Sequence, residues 1–116
     1  MAVFANAQKL SEHFLSHGPE FGLATEQEYL VRANAFLAGS KPIGVQECTR
    51  RRNRLGDVVR YNPVTEEFGI LSQRGQTILT YFRPIPCHAA PPAIMAAGNC
   101  HGLQTNQDYF RQECLK

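Results

Sequence analysis

Two histidines one helical turn apart are the residues of this chain best suited to moving protons. His13 and His17 are spaced i, i+4, so a helix over residues 5–17 sets both on one face, and Lys9 extends the same stripe toward the N-terminus. Imidazole titrates near neutrality. Repulsion between neighbouring rings disfavours charging both, so such a pair holds one neutral and one protonated ring near pH 7. RNA cleavage without a metal needs that equipment. A base takes the proton of a 2′-OH, cations stabilise the charged phosphorane, and an acid protonates the departing 5′-oxygen. Two other readings stand beside this one. The stripe is equally an exposed helix face, and a metal pair lacks a nearby carboxylate or cysteine to complete its site.

Cations are concentrated in one stretch, where Arg50, Arg51, Arg52, Arg54 and Arg60 crowd together although the net charge is only +2. The guanidinium fork suits phosphate, so this stretch is either a phosphate-facing surface or a solvated hairpin rim. Arg50 and Arg60 fall on neighbouring predicted strands. Thr80 falls on the last strand, where its hydroxyl can bond a phosphate oxygen. Next to it, Tyr81 or Phe82 either stacks on a base or packs into the core.

The elements that must position these groups are set by periodicity. In residues 5–17, Ala7, Leu10 and Phe14 form an apolar stripe, and Gly18-Pro19 stops the helix. Thr25 to Glu28 is a capping box, followed by an apolar face of Tyr29, Leu30, Ala33, Phe36 and Leu37 that runs to Gly39. The period then changes to two. Strands are predicted over residues 45–49, 57–61, 68–71 and 77–82, with Val58 and Arg60 on one side and Val59 and Tyr61 on the other. Asn62-Pro63 and residues 73–76 are turns, which makes the last three strands an antiparallel meander. Residues 84–102, rich in Pro, Ala and Gly, read as a long loop, and 105–114 as a short terminal helix. Helices followed by strands define an α+β layout.

With 116 residues the chain has the length of one domain, with helices over about 5–38, the sheet over about 45–83, and a loop and tail over 84–116. A core of this size gains from cross-links. The four cysteines lack zinc-type spacing. Three disulfide pairings are open to them. Cys48–Cys114 would tie the tail to the sheet and Cys87–Cys100 would close a loop, and four reduced, buried thiols are the other reading. No apolar run has the length of a membrane span, and the first residues do not read as a signal peptide. The chain is expected to be a monomer and to need no cofactor.

One ordered set of segments resembles a known family. His13-Phe14-Leu15-Ser16-His17-Gly18-Pro19-Glu20-Phe21-Gly22 is similar to the "HFxxHGxxFG" opening of ribonuclease domains at the C-terminal end of bacterial polymorphic and contact-dependent inhibition toxins. The pattern continues through residues 47–50, Gly56 to Pro63, Phe68-Gly69, Thr80 to Pro84, His101-Gly102, Thr105-Asn106 and Asp108 to Phe110. These domains look like members of the superfamily that groups barnase, EndoU, colicin D and RelE-like nucleases. The resemblance implies two N-terminal helices packed on a four-stranded antiparallel sheet, with an irregular C-terminal tail. It implies an RNA-cleaving toxin, often acting on tRNA and leaving a 2′,3′-cyclic phosphate. Such a toxin is delivered as part of a larger protein into the cytoplasm of a target bacterium, is neutralised by a cognate immunity protein, and in some relatives is assisted by a host elongation factor.

Carried over by residue, His17 would be base or acid with His13 as its partner. Arg50 and Arg60 would hold the scissile phosphate and Thr80 would orient it. Lys9, Arg51, Arg52, Arg54, Tyr81 and Arg83 would bind substrate. The chain departs from the pattern in its long Arg-rich turn at 51–55 and in the stretch from Cys87 to Cys100, which looks inserted. The alternative from another class is a nuclease-like fold that only binds RNA or protein. A third reading, a metal-dependent DNase, predicts that EDTA stops the activity.

Overall fold

In a computed structural model, residues 1–50, 56–72 and 76–116 are described. The fold is α+β. A five-stranded mixed sheet in the order β1-β5-β4-β3-β2 comprises β1 (Val3–Phe4), β2 (Gln46–Thr49), β3 (Val58–Tyr61), β4 (Phe68–Ser72) and β5 (Thr77–Phe82). The four predicted strands are all present and pair antiparallel, with Cys48 opposite Val59 and Val59 opposite Ile70. The fifth is a correction. β1 pairs in parallel with β5, Phe4 opposite Ile78. A strand of two residues carries no alternation for a sequence reading to detect.

Helix α1 (Ala7–His17) begins where Asn6 caps it, its side-chain oxygen accepting from the Lys9 amide at 2.8 Å. The helix stops at Gly18-Pro19 as predicted, with Gly18 itself still right-handed at φ −53°. The chain tightens into a 3-10 turn over Gly18–Phe21, and the left-handed residue is Gly22, at φ 66°. Gly18 is needed for a different reason: a Cβ there would lie 2.7 Å from the Phe14 ring. The turn keeps Glu20 alongside His17.

Helix α2 (Glu26–Leu37) starts at Thr25, whose hydroxyl accepts from the Glu28 amide at 3.1 Å. Its predicted apolar face is buried, with Tyr29, Ala33 and Leu37 at 0%, 0% and 1% exposure. With Leu10 and Phe14 of α1, and with Phe4, Ile78 and Tyr81 of the sheet, it forms the larger core. Gly69 lets α2 close on β4, since a Cβ there would meet Leu37 at 2.9 Å.

The terminal helix α4 (Asn106–Cys114) forms close to the predicted 105–114, and the second correction is a short helix α3 (Pro92–Ala96) inside the stretch read as a loop, so the tail is not irregular throughout. Phe110 and Tyr109 of α4 pack on Val59, Tyr61, Phe68, Ile70 and Phe82, a second core on the opposite side of the sheet from α2. Strand β3 is therefore buried on both faces, as in a layered α+β domain covered on each side. Two disulfides join Cys48 to Cys114 and Cys87 to Cys100. Among the described residues no helix is long and apolar enough to cross a membrane.

Candidate active-site cleft

The end of α1, the end of β5, the β3–β4 turn and the segment after β5 surround a cleft of about 820 Å³. His17, Glu20, Phe82, Arg83, Glu66, His101 and Tyr109 are among the residues that line it.

His17 is the most reactive-looking group there. Its Nδ1 lies 2.7 Å from a Glu20 carboxylate oxygen. A carboxylate only accepts, so the proton belongs on Nδ1, and Nε2 carries the lone pair of a base. Among the described residues Nε2 has no hydrogen-bond partner. The ring also rests 5.1 Å from the Phe82 ring, which limits its rotation. The two residues are i, i+3 neighbours, and the 3-10 turn after α1 keeps them on one face.

Arg83 is held to the same residue. Its amide donates to the other Glu20 carboxylate oxygen at 2.7 Å, its Nη1 donates to the Glu20 carbonyl at 2.9 Å, and its guanidinium lies 5.0 Å from the centre of the Phe21 ring. Each of the other described arginines has a carboxylate partner, namely Arg32 with Glu67, Arg50 with Glu113 and Asp57, Arg60 with Glu47, and Arg111 with Asp108. Among the described residues the Arg83 guanidinium has none. It is an oriented cation with charge to spare at the cleft edge.

Other residues singled out in the sequence do other work. Arg60 is 5% exposed and bonds Glu47 at 2.8 Å, the Phe36 carbonyl at 3.2 Å and the Gly39 carbonyl at 2.8 Å. It clamps the end of α2 to β3 and has no fork left for phosphate. Arg50 donates from Nη2 to the Glu113 carboxylate at 2.6 Å and from Nε to the Glu113 carbonyl at 3.1 Å, pinning the end of α4 beside the Cys48–Cys114 bridge. Tyr81 is fully buried, its hydroxyl donating to Glu67 and accepting from Arg32 Nε at 3.2 Å. Burial, then the Glu67 contact, pushes its phenol far above the usual range. Thr80, half-buried opposite Ile70, and Lys9, paired with Glu12 on the exposed face of α1, do not line the cleft.

His13 is 6.1 Å from His17 ring to ring but turns toward Phe4, at 4.9 Å, and is also outside the cleft lining. Its pKa lies below 6.5, chiefly because burial disfavours the charged ring and secondly because His17 repels it. Arg51, Arg52 and Arg54 lie outside the described residues. Among the described residues, no three His, Cys, Asp or Glu side chains are grouped to hold a metal ion.

The cleft thus brings together His17 and Arg83 from the sequence-derived set, with Phe82. It adds Glu20, Glu66 and Tyr109, which sequence reasoning does not single out as site residues. Glu20 leaves a trace in the sequence: an acid three residues after a histidine, across a Gly-Pro break. Tyr109 is held protonated, its phenol pushed up to about 12 by burial and then by Glu113.

Compared with known protein families and with curated proteins, the chain matches none.

Proposed function

We propose that the protein is a metal-independent ribonuclease, with tRNA the expected substrate, acting as a toxin domain in competition between bacteria. One observation carries this reading: a histidine fixed in one tautomer by a carboxylate, its other nitrogen free among the described residues, beside an arginine with no carboxylate partner there.

In the proposed reaction His17 Nε2 takes the proton of a ribose 2′-OH. The 2′-oxygen then attacks phosphorus, and the bond from phosphorus to the 5′-oxygen breaks. Arg83 stabilises the doubly charged phosphorane, where a preorganised cation is most effective. Glu20 stabilises the imidazolium that forms. The 5′-oxygen leaves with a proton from water, and the His17 imidazolium returns its proton to the hydroxide that forms. The products are a 2′,3′-cyclic phosphate and a 5′-hydroxyl. The biological setting (delivery within a larger toxin to a target cytoplasm, a cognate immunity protein, help from a host elongation factor) rests on the resemblance of the ordered sequence segments to toxin ribonuclease domains.

The test is incubation of total tRNA with purified protein in EDTA, with and without elongation factor, followed by end mapping. Cyclic-phosphate ends from the wild type and none from His17→Ala are expected. Intact RNA under all conditions overturns the reading, and RNA bound but uncut would mark a binding module on this fold.

A further inference from the structure

The β3–β4 turn places a glutamate where a glycine would be easier. Glu66 has φ 65°, the left-handed region that disfavours residues with a Cβ. Its amide donates to the Asn62 carbonyl at 2.7 Å, a turn that glycine closes without strain. The side chain offers nothing the turn needs. Instead it lines the cleft, where Asn106 fixes it.

Asn106 is 4% exposed, and its amide nitrogen donates to Glu66 Oε2 at 3.0 Å and to the Pro84 carbonyl at 2.8 Å. Its oxygen is left to accept, and His101 Nε2 donates to it at 2.7 Å. The other ring nitrogen of His101 accepts from the Leu103 amide at 3.3 Å. With both nitrogens occupied, His101 is not placed as a base. It is a flat plate, stacked on Tyr109 at 4.7 Å and 20° and forming part of the cleft wall. One buried amide therefore fixes both an aromatic plate and a carboxylate in the same cleft.

We propose that Glu66 and His101 form a nucleobase subsite that selects guanine; the inference rests on the ribonuclease reading of this cleft and deepens it. A carboxylate has about four acceptor positions over its two oxygens and can only accept. Asn106 takes one on Oε2, and the Tyr61 hydroxyl stands 3.4 Å from Oε1. One further acceptor position on each oxygen suits a ligand with two adjacent N–H donors. Among the four bases only guanine presents such an edge, N1–H beside the 2-amino group. Adenine and cytosine place an acceptor next to their amino group, and uracil flanks its single N–H with carbonyls. A protein arginine also offers paired donors, but Arg83 in the same cleft repels a guanidinium and attracts a nucleotide phosphate. The base would stack on His101, as unpaired bases do on aromatic side chains.

The experiment is calorimetric titration of the whole protein with 5′-GMP, 5′-IMP and 5′-AMP. IMP keeps N1–H but lacks the 2-amino group. GMP is expected to bind about tenfold to a hundredfold tighter than AMP, the discrimination a bidentate contact gives, with IMP between them. Glu66→Gln is expected to lose that preference, and His17→Ala to keep it. Glu66→Gly serves as the second variant. It relaxes the turn, so it is expected to fold at least as stably as wild type while binding GMP and AMP alike. Equal binding of GMP and AMP by wild type, or a GMP preference that survives in both Glu66 variants, overturns the proposal. Because binding is read without turnover, guanine selectivity without RNA cleavage would sink only the ribonuclease reading. RNA cleavage with no guanine preference would sink only this one.

Discussion

Glu20 holds His17 by its Nδ1 at 2.7 Å, across the 3-10 turn after α1. The same Glu20 anchors the backbone and guanidinium of Arg83. The proposed base and the proposed phosphate cation are therefore set against each other by one residue. Glu20→Gln tests this. An amide can donate as well as accept, so it no longer dictates the tautomer or stabilises the imidazolium. The cleavage rate is expected to fall about a hundredfold or more, within the range attributed to general acid–base catalysis. Single-turnover kinetics on labelled RNA checks it, and an unchanged rate removes Glu20 from the reaction.

Arg83 makes a complementary prediction. Arg83→Ala removes the only described guanidinium that no described carboxylate neutralises. A preorganised group that stabilises developing charge is worth about a hundredfold to a thousandfold in rate, so kcat should drop far more than KM rises. A change confined to KM would assign Arg83 to general RNA attraction instead.

Arg60 separates structure from catalysis. Removing the guanidinium leaves Glu47, the buried Phe36 carbonyl and the Gly39 carbonyl without their donor. Breaking a buried ion pair in this way costs about 3–5 kcal/mol, and with Glu47 partly exposed the lower end applies to Arg60→Ala. Denaturant midpoints measure the loss, while the fraction that stays folded is expected to cleave at the wild-type rate. Loss of cleavage in folded Arg60→Ala protein would return Arg60 to the phosphate.

The contrast between Arg60 and Arg83 shows what is legible in a sequence. Alternation correctly places Val58 and Arg60 on one face and Val59 and Tyr61 on the other, because period two is fixed by backbone geometry. It cannot tell that the Arg60 face lies under the end of α2, where carbonyls consume its donors. Long-range pairings such as Arg50 with Glu113 are invisible to local patterns for the same reason. Strand β1 and helix α3 are too short for a periodic signal. His17 is legible because its helix is. Glu66 and Asn106, 40 residues apart, meet only through the fold.

His13 gives a pH dependence. Burial lowers its folded-state pKa below the 6.5 of the free side chain, the charges of His17 and Lys9 act in the same direction, and Glu12 opposes them. A folded pKa below the unfolded one stabilises the fold fully above the unfolded value, and that contribution is lost as pH falls toward the folded value. The ring's Nδ1 is buried with no partner among the described residues, so charging it has no compensating bond. Thermal melts between pH 7.5 and 5 should show wild type losing more stability on acidification than His13→Leu. Parallel curves would contradict this sign. His13→Leu should also leave most of the cleavage rate, since the ring lies outside the cleft.

The two disulfides should differ in what they hold. Cys48–Cys114 closes a span of 66 residues and Cys87–Cys100 one of 13. Loop-closure entropy alone assigns them about 4 and about 3 kcal/mol. That entropy counts in full only where the folded state stays ordered once the bond is gone. Cys48 and Cys114 pack in the α4 core beside Phe110, and Arg50 pins the same helix end, so order persists there. None of residues 87–100 is fully buried, and the segment is tied down at its base by backbone bonds between Ile85, Cys87 and His101. Cutting the second bridge frees the segment in the folded state too, which offsets most of its nominal value. Denaturant unfolding of the paired variants Cys48→Ser/Cys114→Ser and Cys87→Ser/Cys100→Ser is expected to show a loss of several kcal/mol for the first and about 1 kcal/mol for the second. The second variant should still weaken RNA cleavage, because Cys100 forms part of the cleft wall. Equal losses of stability would mean that residues 87–100 are held by more than their bridge.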